Sequence, residues 1–261
     1  MYLTTVNTGS QRDPVIGMGD PILASLRVCV AGFSPSAAVC ALSIAELGHT
    51  AIYYENESSA FDVLGDAGLQ ASPSIKRDLF RKHLNAKLTP TTDLAQAVSD
   101  SDVLYIVFPP EDRANGNGQY PAQLETMLRT VAKSLAHFTV IVETSTVPLL
   151  TSDWIINGLL SFEADREKFE VVSCPMSLHG NGDEAVQQFL SRKQITAATS
   201  SERSAEIIHR LYAPLTSGAY YSRPDALTGE LSCVGVASLR IADCSGPFRL
   251  FTLTHLWDPE D

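Results

Sequence analysis

Residues 26–37 constrain the fold of this chain more than any other segment. Residues 26–31 read LRVCVA, the pattern of a short buried strand, and an apolar helix over 36–47 ends at Gly48-His49. The turn between them reads Gly32-Phe33-Ser34-Pro35-Ser36-Ala37, which has the spacing of G-x-G-x-x-G/A with serine as its second member. A strand, a glycine turn and a helix in this order are typical of dinucleotide-binding domains.

The turn departs from the usual fingerprint in its centre. The second glycine normally lets the backbone approach a pyrophosphate, whereas Ser34 places a Cβ atom and a hydroxyl there. Pro35 suits the first turn of a helix, so the helix and its N-terminal dipole are expected to persist. Ala37 stands where a small residue allows the helix to pack closely on the sheet. We therefore expect Gly32, Ser34 and Ala37 to belong to a cofactor site.

Strands and helices alternate from residue 26 onward, which is the pattern of a parallel sheet covered on both faces. We predict a doubly wound α/β domain of Rossmann type over 26–218, preceded by a flexible extension over 1–25 and an exposed loop over 111–119. A connecting helix is expected to begin within 219–245, as an orphan helix over 226–242, and 246–261 is expected to be an irregular tail. The predicted strands are 26–31, 50–54, 88–92, 103–108, 139–143, 169–174 and 194–199, and the predicted helices are 36–47, 73–86, 93–100, 121–135, 151–162, 184–190 and 202–213.

Glu55 lies 23 residues after Gly32, at the end of the second predicted strand. A carboxylate in this position can accept hydrogen bonds from both ribose hydroxyls of NAD, and it would repel the 2′-phosphate of NADP. The alternative is a solvated charge at a strand end. With the strand–turn–helix before it, we favour the ribose role.

Charge and cysteine usage exclude several classes of partner. The net charge is −11 and no basic run is present, so nucleic acid and anionic membrane surfaces are not expected partners. No stretch approaches the ~20 apolar residues that span a bilayer, and the N-terminus does not resemble a secretory signal. The five cysteines lie within apolar patterns without C-x-x-C spacing, so we expect buried, reduced thiols in a cytoplasmic protein without a metal site.

The segment Glu143-Thr144-Ser145-Thr146-Val147-Pro148 follows a predicted central strand. Ligands of open parallel sheets bind at the carboxyl ends of the strands, where these hydroxyls could position a water or a cofactor amide. Ordinary turn chemistry before a proline is the alternative. His179 is a second candidate near the same edge, as a lone proton acceptor, whereas His49 is expected to cap or pack behind the first helix.

Several motifs taken in order resemble the N-terminal domain of the UDP-glucose/GDP-mannose dehydrogenase family. The resemblance extends over about 26–215. The motifs that carry it are the fingerprint with Gly48-His49, Leu88-Thr89-Pro90-Thr91-Thr92-Asp93, Asp102-Val103 before a strand ending in Pro109, Ser145-Thr146-Val147-Pro148, and Ser173-Cys174-Pro175. This resemblance implies an NAD site that includes Thr92, Pro109 and Thr146. It also implies NAD-dependent oxidation of a nucleotide-sugar CH₂OH to a carboxylate.

The resemblance also implies a set of catalytic groups that this chain matches only in part. Thr146 matches the family's water-holding threonine, but the family's glutamate is replaced by Met176, whose thioether cannot transfer protons. The helical stretch over 225–242 contains no counterpart of the family's lysine and asparagine, and the nucleophilic cysteine belongs to a later domain that this chain does not reach. Cys174, Cys233 and Cys244 lack its context and are interpreted as buried thiols.

Two functions therefore stay open. The first is a nucleotide-sugar oxidoreductase of the UDP-glucose 6-dehydrogenase type, incomplete or impaired as a single chain unless a second chain supplies the missing groups. The second is a non-catalytic module derived from this fold that binds a nucleotide or a partner; a truncated product with little function is a third reading. We expect weak homodimerisation through 226–242.

Overall fold

The structure is a computed structural model. It describes residues 25–32, 35–56, 74–107, 122–144, 151–174, 176, 178, 182–192, 194–199, 201–215, 220–222 and 249–254. Strands and helices alternate along most of these residues. The strands are β1 (Arg27–Gly32), β2 (Thr50–Tyr54), β3 (Leu88–Thr91), β4 (Val103–Val107), β5 (Thr139–Glu143), β6 (Phe169–Ser173), β7 (Gln194–Thr199), β8 (Tyr220–Ser222) and β9 (Arg249–Thr254). The helices are α1 (Pro35–Glu46), α2 (Ile75–His83), α3 (Leu94–Ser99), α4 (Ala122–Ser134), α5 (Thr151–Ser161), α6 (Asp183–Leu190) and α7 (Glu202–Tyr212), with a short 3₁₀ helix over Arg166–Lys168.

The described strands form one sheet in the order β3-β2-β1-β4-β5-β6-β7-β9-β8. The six strands from β3 to β6 are parallel, as the alternation of strands and helices predicts. The chain moves from β1 outward to β3 and then returns to place β4 on the other side of β1. This reversal creates the crevice at which doubly wound sheets bind their ligands.

Two apolar layers cover the sheet, which confirms the predicted doubly wound α/β class. Helices α1, α2, α6 and α7 pack on one face around Val30, Tyr105 and Val142. Helices α3, α4 and α5 pack on the other face around Ala31, Ile106 and Ile141. Neighbouring residues of each central strand point to opposite faces, so the middle residues of β1, β4 and β5, which are buried on both sides, are apolar.

The first helix ends where the Gly48-His49 pair predicts. Gly48 has a φ of 102°, which glycine adopts without a steric penalty. The Gly48 amide donates to the Ala45 carbonyl at 3.1 Å, and the His49 amide donates to the Ile44 carbonyl at 3.3 Å. These two bonds are those of a Schellman motif, which satisfies the last carbonyls of a helix and turns the chain toward β2.

The C-terminal side of the sheet differs from the sequence-based prediction. Strand β7 pairs antiparallel with β6, and β9 pairs antiparallel with β7 and β8, so the parallel order ends at β6. The sequence predicts an irregular tail over 246–261, but Arg249–Thr254 forms a strand. A six-residue strand has no stability of its own, and its backbone partners lie 50 to 60 residues earlier in β7 and 30 to 34 residues earlier in β8. The local sequence therefore carries little sign of it.

Other expectations fall on residues that the structure does not describe. These are the flexible extension before residue 25, the exposed loop over 111–119, the helix over 226–242 and the dimer contact assigned to that helix. They stay predictions. Within the described residues, no helix is both long enough and apolar enough to cross a membrane.

Candidate functional site

The candidate site is centred on Gly32, the last residue of β1. Gly32 pairs with Val107 at the end of β4, at the point where the strand order reverses. A Cβ atom on Gly32 would lie 2.7 Å from the Val107 carbonyl oxygen and 2.9 Å from the Ala37 Cβ atom. Such distances are sterically forbidden. Only glycine therefore allows β1, β4 and the first turn of α1 to meet this closely.

Ala37 completes this close packing from the helix side. Its side chain is fully buried in the layer formed by α1, α2, α6 and α7. The structure thus gives Gly32 and Ala37 the packing roles of the first and third fingerprint positions. Helix α1 begins at Pro35, as a proline in the first turn permits, whereas Ser34 lies outside the described residues.

Glu55 lies at the carboxyl end of β2, the strand next to β1. Its backbone amide donates to the Thr91 carbonyl at 3.1 Å, and the Tyr53 hydroxyl donates a hydrogen bond to its carboxylate. Partial burial raises the pKa of Glu55, and the Tyr53 hydrogen bond opposes that rise by stabilising the charged form. A carboxylate beside β1 is in the position from which an acidic residue can accept hydrogen bonds from ribose hydroxyls. The spacing of glycines and acidic residues does not predict this hydrogen bond from Tyr53.

Thr92 is exposed in the turn after β3, two strands away from β1. The neighbouring Thr91 hydroxyl accepts a hydrogen bond from the Asp93 amide at 3.1 Å, and the Asp93 carboxylate caps α3 by accepting from the Gln96 amide at 3.0 Å. The local sequence Thr91-Thr92-Asp93 therefore has a structural role at the start of α3. Thr92 thus lies at the same edge of the sheet as Glu55, one strand farther from β1.

A second carboxylate lies at this edge, at the end of β5. Glu143 is only 2% exposed. Its Oε2 atom accepts a hydrogen bond from the Ser173 hydroxyl at 3.1 Å, and its carbonyl accepts from the Cys174 amide at 2.8 Å. Sequence reasoning drew attention to the hydroxyls that follow Glu143 and missed its carboxylate. The available signal was a charge that directly follows three apolar strand residues, Val140 to Val142.

The sequence model described as "UDP-glucose/GDP-mannose dehydrogenase family, NAD binding domain" matches residues 26–216. This chain belongs to that family. The domain it carries is the family's NAD-binding domain, and its cofactor is NAD. The close packing at Gly32 and the carboxylate of Glu55 fit this cofactor, because the first sets the N-terminus of α1 at the strand ends, where a pyrophosphate binds, and the second can accept ribose hydroxyls.

Known relatives match nearly three quarters of the chain. UDP-glucose 6-dehydrogenase TuaD of Bacillus subtilis is 24% identical over 189 residues, which are 72% of this chain and 40% of the relative. The UDP-glucose 6-dehydrogenase of Rhizobium meliloti is 25% identical over 194 residues, 73% of this chain and 44% of the relative. The chain therefore spans less than half the length of these relatives.

Solved structures confirm the fold. A ternary complex of GDP-mannose dehydrogenase from Pseudomonas aeruginosa matches with a TM-score of 0.62 at 21% identity, covering 72% of this chain and 44% of that chain. A UDP-glucose dehydrogenase from Pyrobaculum islandicum matches with a TM-score of 0.59 at 22% identity, covering 76% and 46%. At these identities the likeness concerns the dehydrogenase fold alone.

Met176 occupies the position at which the resemblance implies the family's glutamate. Its amide donates to the Thr144 carbonyl at 2.7 Å, which extends the pairing beyond the ends of β5 and β6. Its side chain is 7% exposed and packs into the apolar layer formed by α1, α2, α6 and α7. The thioether is therefore part of the core at the edge of the site.

The described cysteines are buried, as expected. Burial raises the pKa values of the Cys29 and Cys40 thiols to about 12, so both stay protonated at neutral pH. The Cys174 sulfur lies 3.8 Å from the Tyr212 hydroxyl in the core. A buried protonated thiol is a poor nucleophile. Cys233 and Cys244 lie outside the described residues, as do Pro109, Thr146 and His179, whose predicted roles stay predictions.

His49 connects distant parts of the domain. Its Nδ1 atom accepts a hydrogen bond from the Leu26 amide at 3.2 Å, and its Nε2 atom donates to the Leu211 carbonyl at 2.9 Å. Burial lowers the pKa of His49, and the positive charges of Lys87 and Arg210 lower it further, against the opposing effect of the Leu211 bond. His49 is therefore a neutral packing residue, as expected.

Proposed function

We propose that this chain binds NAD across the ends of β1 and β4 as the cofactor-binding part of a UDP-glucose 6-dehydrogenase-like oxidoreductase. The observation that carries the proposal is the position of the Glu55 carboxylate at the end of β2, beside the closely packed Gly32 at the end of the neighbouring strand β1. The names of the Bacillus and Rhizobium relatives support UDP-glucose as the substrate to test first. In such a reaction the sugar CH₂OH is oxidised and the cofactor receives a hydride.

The described residues would act mainly by binding and orienting the cofactor. Gly32 would let α1 begin close to the ends of β1 and β4, and the N-terminus of α1 would favour the negative charge of the pyrophosphate. Glu55 would accept hydrogen bonds from the adenosine ribose and would disfavour a 2′-phosphate, so NAD is preferred over NADP. NAD, when bound, supplies the hydride acceptor.

A second candidate function is a non-catalytic module that binds a nucleotide or a protein partner. Met176 favours it, because a buried thioether cannot transfer the proton that the family's glutamate handles. The absence of lysine and asparagine from 225–242 supports the same view. We accordingly propose that the single chain is impaired in the full oxidation of an alcohol to a carboxylate. The two-electron oxidation of the alcohol is therefore the reaction to test.

Calorimetric titration with NAD tests the binding proposal. We expect binding in the micromolar to low-millimolar range, weakened about tenfold or more by Glu55→Ala, with a reduced preference for NAD over NADP. Glu167→Ala is the control, because Glu167 is exposed before β6, at the opposite edge of the sheet. Absence of heat and of a thermal shift at several millimolar NAD would refute the proposed cofactor role.

The absorbance of NADH distinguishes the two candidate functions. The chain is mixed with NAD and UDP-glucose, and NADH formation is followed over time. Formation of NADH that requires both ligands supports the oxidoreductase. Binding of NAD without NADH formation favours the non-catalytic module, for which a search for protein partners is then the next step.

A further inference from the structure

Glu55 and Asn56, adjacent in the chain after β2, are held on opposite faces of the sheet. Neighbouring side chains of an extended strand alternate between the two faces. Tyr53 is buried in the layer formed by α1, α2, α6 and α7, and its hydroxyl donates to the Glu55 carboxylate. Tyr54 packs against the layer formed by α3, α4 and α5, and its hydroxyl donates to Oδ1 of Asn56. The side chains of Glu55 and Asn56 are therefore drawn toward different helical layers.

The Tyr54 hydroxyl sets the orientation of the Asn56 carboxamide. Asn56 is exposed, so its amide is open to a ligand at the carboxyl edge of the sheet. A phenol donates a hydrogen bond better than it accepts one, which keeps Oδ1 of Asn56 at the Tyr54 hydroxyl. An amide oxygen has two acceptor positions and an amide nitrogen has two donors. The carboxamide of Asn56 therefore presents an acceptor and a donor, side by side and in a fixed order.

The geometry of a nucleotide places its base on the Asn56 side when its ribose is held by Glu55. The N-terminus of α1, where a pyrophosphate binds, belongs to the helical layer on the Glu55 side. In an adenosine 5′-phosphate the phosphate and the base leave the ribose from opposite ends, and the 2′- and 3′-hydroxyls lie between them. With these hydroxyls at Glu55 and the phosphate toward α1, the base is directed toward the layer of α3 and α4.

We infer that Asn56, oriented by Tyr54, binds the adenine base of NAD and selects it over hypoxanthine. The Asn56 oxygen accepts a hydrogen bond from the 6-amino group, and its nitrogen donates to a neighbouring ring nitrogen, a pairing for which asparagine and adenine are suited. Hypoxanthine has a carbonyl in place of the amino group, so two acceptors would face each other. The inference rests on the proposed function, because it requires NAD to bind with its ribose at Glu55.

Calorimetric titration of the full chain with NAD and with nicotinamide hypoxanthine dinucleotide tests this inference. The two dinucleotides differ only in the base, so the ratio of their dissociation constants isolates the base contact. We expect the wild-type chain to bind NAD about fivefold more tightly or better, the ratio for one neutral hydrogen bond. Asn56→Ala should bring the ratio close to unity, mainly by weakening NAD. Tyr54→Phe should lower the ratio by strengthening the analogue, because the released amide can rotate and donate to the carbonyl.

Two control variants separate the base contact from general effects on binding. Asn157→Ala removes an exposed asparagine from α5, the helix after β5, and β5 lies three strands away from β2. This variant should leave both affinities unchanged. Glu55→Gln should weaken both dinucleotides and leave their ratio unchanged, because the ribose is the same in both.

The outcomes distinguish this inference from the proposal on which it rests. Equal binding of the two dinucleotides by the wild-type chain, or a wild-type ratio in Asn56→Ala, overturns the inference and leaves the cofactor role standing. Failure of the wild-type chain to bind either dinucleotide overturns both. Because Asn56 is exposed, Asn56→Ala should keep the thermal stability of the wild type. If it does not, Tyr54→Phe decides, and an unchanged ratio in that variant overturns the inference.

Discussion

Gly32 and Val107 pack so closely at the ends of β1 and β4 that a Cβ atom on Gly32 would lie 2.7 Å from the Val107 carbonyl oxygen. Gly32→Ala should therefore lower the free energy of unfolding by about 1–3 kcal/mol, the usual cost of overpacking, and should weaken NAD binding. Chemical denaturation and calorimetry measure the two effects. Gly182→Ala is the control, since a Cβ at Gly182 would meet nothing within 4 Å. Equal free energies of unfolding for Gly32→Ala and Gly182→Ala would contradict the close packing around Gly32.

The Tyr53 hydroxyl and the Glu55 carboxylate form a pair whose effect on cofactor binding depends on pH. NAD affinity should fall as the pH is lowered through the raised pKa of Glu55, because the protonated acid offers fewer acceptors to the ribose. Tyr53→Phe removes a hydrogen bond that lowers this pKa. The midpoint of the pH dependence should therefore move to higher pH, and affinity at neutral pH should fall about threefold.

The control for this pair is Tyr54→Phe, because the Tyr54 hydroxyl contacts the Asn56 side chain instead of Glu55.

The contribution of Glu55 to folding stability should change with pH in the opposite sense to its contribution to NAD affinity. A group whose pKa is raised by folding stabilises the protein at acidic pH, and that contribution is lost as the pH rises through the folded-state pKa. A pH profile of NAD binding that is the same in wild type and Tyr53→Phe would contradict the pairing.

Asp183 at the start of α6 connects that helix to the start of α2. Its carboxylate accepts hydrogen bonds of 2.9 Å from the Ser74 hydroxyl and from the amides of Ile75 and Lys76. Partial burial alone would raise the pKa of Asp183, but these bonds and the Lys76 charge outweigh it, so the pKa is lowered. Asp183→Ala should cost about 1–2 kcal/mol of stability, as the loss of a helix cap does.

The pH dependence of this contribution follows from its sign. A lowered folded-state pKa gives stability that is present above the unfolded pKa of aspartate and is lost as the pH falls through the folded value. The stability difference between wild type and Asp183→Ala should therefore shrink in acid. The exposed neighbour Glu184 provides the control Glu184→Gln, for which denaturation should show little change at any pH.

His49 is expected to make the domain sensitive to mild acid. Folding lowers its pKa below the ordinary value of about 6.5, so the unfolded chain binds the proton more tightly. Stability should be complete above this value and should fall as the pH drops below it. His49→Ala should cost about 2 kcal/mol or more at neutral pH, because the buried Leu26 amide and Leu211 carbonyl lose a partner.

The role of His49 is tested by comparing how steeply the free energy of unfolding changes with pH in wild type and in His49→Ala. Burial also lowers the pKa of His209, so His49→Ala should keep part of the wild-type slope between neutral pH and pH values near 5. Denaturant titrations of both proteins at several pH values measure the difference. Equal slopes would mean that His49 does not titrate as its contacts imply.

Local sequence predicted the site best where one segment supplies all of the interacting atoms. Gly32 and Ala37 are five residues apart, and their packing follows from one strand–turn–helix unit. The position of Glu55 follows from a single βαβ step. By contrast, the carboxylate of Glu143 was overlooked, because its partner Ser173 lies 30 residues later and only the register of β5 and β6 brings them together.

The sequence by itself determined the class of the domain and the order of its elements. Apolar strands, capped helices and the Gly48-His49 stop are short-range features, because a helix or a buried strand is selected by the periodicity and capping of its own residues. Only the tertiary structure decided the antiparallel pairing of β9, the cap of Asp183 on α2 and the contact of His49 with Leu211, which lies 162 residues later. Each of these satisfies a polar group with a partner from a distant segment, and that choice is made when the layers pack.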